Sequence, residues 1–223
     1  MNLEKVQMLF LGEAFMKIID ISWPISRAMT QYKNKEYVSL EHIKSYAEDG
    51  VRETLIHMAA HTGTHIDAPS HFMRDGKTID QLDLHMFFGP SVVVDCTAVG
   101  QAITAEFLQK ESIKENDIVL LKTVNSAFGD NDSFNPYFTG LDVSGALYLI
   151  EKKIKAVGID YFSIERTQDS RHLVHHELFK NNVGIIEGLR LLHVDAGSYL
   201  FCGFPLKMVG IDAAPARVVL IKE

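Results

Sequence analysis

DIVLLKTV, residues 117–124, is rich in Val, Ile and Leu and has no clean apolar–polar alternation. That is the pattern of a β-strand covered on both faces. Runs of the same kind recur at 17–21, 91–99, 155–159, 183–186, 198–204 and 217–221. Among them lie two helical patterns. Residues 141–155 place Leu141, Ala146, Leu149, Ile150 and Ile154 close to one face, with basic residues near the end. Residues 170–182 follow Asp169-Ser170, which can cap a helix, and the pattern fades at Asn181-Asn182. A shorter helix can start at Thr104, whose hydroxyl suits the cap of 105–110. Asp49-Gly50 and Asp75-Gly76 read as turns. Strands mixed with two or three helices in one unit give an α/β class; the topology does not follow from this.

The chain has 223 residues with 22 Lys plus Arg against 29 Asp plus Glu, a net charge of −7 that argues against a nucleic-acid or anionic-membrane partner. No run reaches the roughly 18 apolar residues of a membrane span. Two cysteines, Cys96 and Cys202, are too few for a disulfide framework, and reduced thiols in a cytoplasmic protein are the simpler reading. Both sit in apolar strand patterns, which suits buried packing better than reactivity. Residues 1–15 have an apolar middle but carry Glu4 and Glu13 and no small-residue cleavage site, so they read as an extension and not as a signal peptide. The expected domain is a single unit over 16–223.

Ten histidines are present, and six fall in two short windows. The first window is HTGTHIDAPSH, residues 61–71, with His61, His65, Asp67 and His71. His and carboxylates are the donors that Zn²⁺ and other first-row divalent ions prefer. His65 and Asp67 are two apart, so an extended backbone points both the same way. Gly63 permits the unusual backbone needed to bring His61 beside them, and Pro69 turns the chain so that His71 approaches from another side. A helical reading of His61 and His65 is opposed by Gly63, Pro69 and the β-branched Thr62, Thr64 and Ile66. The second window holds His172, His175 and His176 on the predicted helix, followed by Glu187 within an apolar run. A Glu there is costly to bury unless a metal or hydrogen bonds compensate it. Four or five ligands exceed what one catalytic zinc needs, which suggests a two-metal site with a bridging carboxylate. Asp160 with Glu165-Arg166 reads either as a buried pair backing the site or as a surface ion pair.

These residues resemble the metal-dependent hydrolases of the cyclase family, which include bacterial kynurenine formamidase (arylformamidase) and isatin hydrolase. The motif H-x-G-T-H-x-D-A-P-x-H-F stands intact at 61–72. The likeness continues through GKTIDQLDLHMFFGPSVVVD (76–95), KAVGID (155–160), HHELF (175–179), GIIEGL (184–189) and FPLKMVGIDAAPARVV (204–219). The resemblance implies a swivelling β/β/α fold with mixed sheets. It implies that His61, His65 and Asp67 hold one metal, that Asp67 bridges to a second held with His175 and Glu187, and that His71 is the catalytic acid/base. His176, next to His175, is the runner-up ligand.

The implied cofactors are two divalent ions, zinc first and manganese second. The implied reaction is hydrolysis of a small amide by a metal-activated water, as in tryptophan catabolism. Opening of a cyclic amide or lactone is the enzymatic alternative, and a non-catalytic metal-stabilised binding protein the alternative of another class. A homodimer or homotetramer is implied in the same way. One departure stands out. Kynurenine formamidases carry a Trp in a W-P-G-D-like context against the aromatic substrate. Here the corresponding stretch, MTQYKN at 29–34, lacks the Pro-Gly and offers Tyr32. The single tryptophan, Trp23, lies earlier, and a packing role competes with a substrate-contact role for both residues.

Overall fold

The computed structural model describes residues 8–11, 14–166 and 171–222. The strands are β1 (Met8–Leu11), β2 (Ala14–Asp20), β3 (Ser39–Lys44), β4 (Glu53–His57), β5 (His65–Asp67), β6 (Phe88–Asp95) and β7 (Ala102–Ile103), followed by β8 (Ile118–Lys122), β9 (Gly140–Leu141), β10 (Ala156–Ile159), β11 (Gly184–Glu187), β12 (Gly197–Pro205) and β13 (Ala213–Lys222). The helices are α1 (Tyr46–Asp49), α2 (Ala105–Leu108), α3 (Val143–Glu151) and α4 (Leu173–Lys180). All seven apolar runs became strands of one sheet. No described helix is long and apolar enough to cross a membrane.

That sheet closes on itself. β6, β8, β10 and β11 run parallel in that order. β5 then lies antiparallel to β11 on one side and to β13 on the other, and β12 links β13 back to β6. β13 is long enough to serve two partners along one edge, β5 at Ala213–Pro215 and β2 further on. The mixed, barrel-like sheet is the expected α/β class. Alternation along the parallel strands builds two cores. Ile118 and Leu120 of β8, Ala156 of β10 and Ile186 of β11 fill the interior with Phe87, Phe201 and Leu220. Val119, Leu121, Val157, Ile159 and Ile185 face outward under Ile103, Leu108, Leu149, Val174 and Leu178. Both faces are therefore apolar, which explains runs without alternation.

The helices are shorter than the sequence patterns suggested. Asp142 accepts the Gly145 N–H and starts α3 at Val143, and Lys153 at φ 55° ends the helical path well before residue 155. α2 begins as expected, with the Thr104 hydroxyl accepting from the Phe107 N–H. α4 starts at Leu173 behind His172, which is left-handed; the expected cap at 169–170 lies outside the described residues. The β3–β4 hairpin and α1, N-capped by Ser45 and closed by Gly50 at φ 70°, are additions to the sequence reading. Most of the expected extension at 1–15 also lies outside the described residues, but within it Met8–Leu11 runs antiparallel to β2.

Candidate metal centre

β5 is three residues long, and its alternation builds the site. Ile66 points into the barrel, fully buried among the interior side chains. His65 and Asp67 therefore share the outer face, as their spacing predicts. The register sets Glu187 of β11 opposite His65 and Ile185 opposite Asp67, so Glu187 emerges on that same face. Helix α4 covers it, held down by Val174, Leu178 and Phe179, and inserts His175. His61 reaches the cluster through a turn at Gly63, which takes φ +63°. Gly188, at φ +71°, lies so close behind that a Cβ would meet the Gly63 carbonyl oxygen at 2.3 Å. Only glycine admits this approach of β11 to the motif. His71 ends a 3-10 turn that begins at Pro69.

Four donor triads lie among the described residues; beside His61–His71–Asp212 and Glu165–His172–His175, two share Asp67. His61, His65 and Asp67 form one; Asp67, His175 and Glu187 form the other. Asp67 Oδ1 lies 2.8 Å from His61 Nδ1 and 3.3 Å from His65 Nε2. Its Oδ2 is 3.8 Å from His175 Nε2, while Glu187 stands 3.2 Å from His175 Nε2 and 3.4 Å from His65 Nε2. His65 Nε2 and Asp67 Oδ1 are buried without a hydrogen bond of acceptable geometry. Orphaned buried polar atoms are costly, and a cation between these two would satisfy both. The donor set is that of a divalent metal site.

Other groups aim the donors. The His65 Nδ1–H donates to the Gly63 carbonyl oxygen at 2.9 Å, which leaves Nε2 as the bare nitrogen. Glu165 Oε1 takes His175 Nδ1 at 2.8 Å and His172 Nδ1 at 2.9 Å, and its Oε2 accepts the Val174 N–H at 2.9 Å. The Ile164 N–H donates to Glu187 Oε1 at 2.6 Å. Burial would lower the basicity of His65 and His175. The surrounding carboxylates, Asp67 and Glu187 for the first and Glu165 and Glu187 for the second, override it and lift both to about 10. Burial would raise the Asp67 carboxyl, but the neighbouring histidines, His61 before His65, hold it well below the usual carboxylate range. So strong a demand for positive charge is what a cation site requires.

Asp212, at the start of β13, is the residue that sequence reasoning missed. Its Oδ2 lies 3.1 Å from His61 Nε2 and 3.2 Å from His71 Nδ1, so one carboxylate oxygen orients both. The signal was in view, since GIDAAPARVV stands within the family-like stretch, but nothing local ties it to histidines 141 and 151 residues away. Glu165 does back the site, yet not through a pair with Asp160. Asp160 lies elsewhere, fully buried, and its oxygens accept from the Thr123 and Ser126 hydroxyls and backbone N–H groups.

A cavity of about 360 Å³ opens onto the cluster, lined at its floor by His61, His65, Asp67, His71, His175 and Glu187. Tyr32, Tyr37, Phe72 and Phe162 form apolar walls. Tyr32 therefore reaches the site from the expected stretch. Trp23 does not; it is buried against Phe162, with the Arg190 guanidinium over its ring. His176 lies outside the two triads, and of the two adjacent histidines only His175 joins Asp67 and Glu187. Cys96 is buried, and burial pushes its thiol up, away from reactivity.

The profile of the family described as "Putative cyclase" matches residues 19–166. A kynurenine formamidase from Bacillus anthracis is 34% identical over 205 residues, covering 92% of this chain and 97% of the relative. A solved structure described as a potential metal-dependent hydrolase with cyclase activity superposes with a TM-score of 0.84 at 41% identity, covering 93% of this chain and 98% of the other. Isatin hydrolase A from Labrenzia aggregata shares the fold, with a TM-score of 0.78 at 23% identity over 92% of this chain and 93% of its own. The family model takes in the first histidine window and ends before the second, whereas the formamidase and the hydrolase structure match over nearly the whole chain. The chain belongs to the cyclase family and is a metal-dependent hydrolase of the amidohydrolase class, similar to the arylformamidases.

Proposed function

We propose that this enzyme hydrolyses a small aryl formamide or a closely related amide, with two divalent ions and His71 as acid/base. The observation that carries the reading is the pair of donor triads sharing Asp67 at the floor of an open, aromatic-walled cavity. His61, His65 and Asp67 would hold one ion, and Asp67, His175 and Glu187 the other. Zinc suits this His/carboxylate set, and manganese is second. When bound, such ions polarise a carbonyl oxygen and bring the pKa of water down to about 7.

The protein's own side chains do the rest. Asp212 engages His71 Nδ1, so the Nδ1–H tautomer is favoured and Nε2 is left as the base. Burial lowers the His71 pKa and keeps the ring neutral near pH 7, ready to take a proton and return it to the leaving nitrogen. Phe72 packs against His71, with ring centroids 4.2 Å apart, and against His175 at 4.5 Å, so one aromatic ring spaces the two histidines. Tyr32 and Phe162 give the cavity aromatic lining suited to a flat substrate. The cavity volume matches a single-ring amide.

The test is a metal-reconstitution assay with formanilide and isatin as substrates. Zinc- or manganese-dependent release of aniline and formate is the expected result. Turnover of isatin alone would move the assignment to cyclic amides, and metal binding without turnover of either would favour a binding protein. Glu165 supplies a check on the ligand set. Glu165→Gln is expected to weaken metal retention about 10–100-fold, because it loosens His175 without touching the ion. Chelator competition measures this.

A further inference from the structure

Beside the two triads that share Asp67 stand two further donor groups, one of His61, His71 and Asp212 and one of Glu165, His172 and His175. The latter is closed. Glu165 and His175 are buried, Glu165 Oε1 is engaged by both Nδ1 atoms, and its Oε2 accepts the Val174 N–H. The former is open. His61 and His71 line the cavity, with side chains 25% and 31% exposed, and the Asp212 side chain is 45% exposed.

Backbone hydrogen bonds hold the open group in place. The Ala68 N–H donates to the Asp212 carbonyl oxygen at 2.9 Å, and the Ala68 carbonyl oxygen accepts the His71 N–H at 2.9 Å. Ala213, next after Asp212, pairs with Asp67 across β13 and β5. Asp212 Oδ2 thereby stands 3.1 Å from His61 Nε2 and 3.2 Å from His71 Nδ1. Bonds of about 2.0–2.1 Å to a tetrahedral zinc set neighbouring donors about 3.3 Å apart, so these separations need little change to admit an ion. The two His61 nitrogens face different carboxylates, Nδ1 toward Asp67 and Nε2 toward Asp212, which puts this one ring in both groups.

We propose that His61, His71 and Asp212 form a third, regulatory metal site, at which excess zinc inhibits the enzyme. Without that ion, protons on His61 Nε2 and His71 Nδ1 bind the group to Asp212. One divalent ion replaces them: both protons pass to water, the net charge is unchanged, and bonds form from Nε2, Nδ1 and Oδ2 to the ion. Two imidazoles and one carboxylate favour zinc over magnesium or calcium. A cation on Nδ1 draws electron density from the His71 ring and makes Nε2 a poorer base. Partial exposure and a shared imidazole make this site weaker than the buried pair, so it fills after them. The inference rests on the amidohydrolase reading, in which His71 moves the proton, but the site itself is counted without turnover.

In the experiment, protein carrying two zinc equivalents is equilibrated against rising buffered free zinc. Elemental analysis counts metal per chain, and formanilide turnover is read on the same samples. Wild type is expected to take up a third equivalent, to lose at least about tenfold in kcat as it enters, and to recover when chelation returns it to two. Asp212→Asn and His71→Ala are each expected to keep two equivalents and to lack the third at the same free zinc. No third equivalent in wild type, or one that either variant retains, overturns the proposal. A third equivalent that leaves wild-type turnover unchanged also overturns it. If formanilide is not turned over, the amidohydrolase reading falls, and the zinc isotherms alone decide the site. A third equivalent lost in both variants then upholds it, and any other result overturns it.

Discussion

His71→Ala is expected to lower kcat by about 10²–10⁴-fold while the protein keeps its metal, since His71 stands outside the two triads that share Asp67 and groups instead with His61 and Asp212. The geometry behind this is specific. His71 stands at the cavity, its ring centroid 4.0 Å from that of His61, with Nδ1 engaged by Asp212 and Nε2 left over for chemistry. The pH profile gives the matching signature. Burial shifts the His71 pKa below the ordinary value of 6.5. Below its pKa the ring is protonated and cannot accept a proton, so the wild-type rate should fall as pH drops through a value under 6.5. That acidic limb should be missing from the alanine variant. Steady-state kinetics and elemental analysis on the same samples decide it. Full activity in His71→Ala removes the acid/base assignment, and loss of metal would recast His71 as a ligand.

Asp67→Asn is expected to strip the site and reduce activity at least about a thousandfold. Asp67 serves both triads at once, with Oδ1 toward His61 and His65 and Oδ2 toward His175. The amide keeps the shape but presents one neutral oxygen where two charged ones stood. His175→Gln, in contrast, leaves His61, His65 and Asp67 intact and should lose one equivalent of metal of the two. Metal content after dialysis separates the cases. Equal losses in the two variants would mean a single ion held by all five residues, and retention of both ions in Asp67→Asn would show that Asp67 does not bridge.

Much of this was legible in one dimension because the determinants are local. The seven apolar runs are strands since each carries its own burial pattern on both faces. His65 and Asp67 point together because residues two apart in any strand do so. Gly63 and Pro69 announce their turns through backbone restrictions that travel with the residue. Helix ends were less legible, since Asp142 and the left-handed Lys153 trim α3 by interactions that periodicity does not record. The β3–β4 hairpin was missed for a related reason: apart from the half-buried Leu40 it is exposed, so no buried face imprinted a pattern on it.

By itself, then, the sequence determined the strand set, the α/β class and a metal-ligand motif whose donors lie within a few residues of each other. Only the tertiary structure set His175, and not His176, beside Asp67 and Glu187, because that depends on which face α4 turns toward β5 and β11. Only the tertiary structure brought Asp212 beneath His61 and His71 and directed Glu165 to His175 and away from Asp160. The physical reason is common to all of these. Local spacing fixes the direction of a side chain relative to its neighbours, whereas a hydrogen bond across 141 residues exists only once the barrel has closed and brought β13 beside β5.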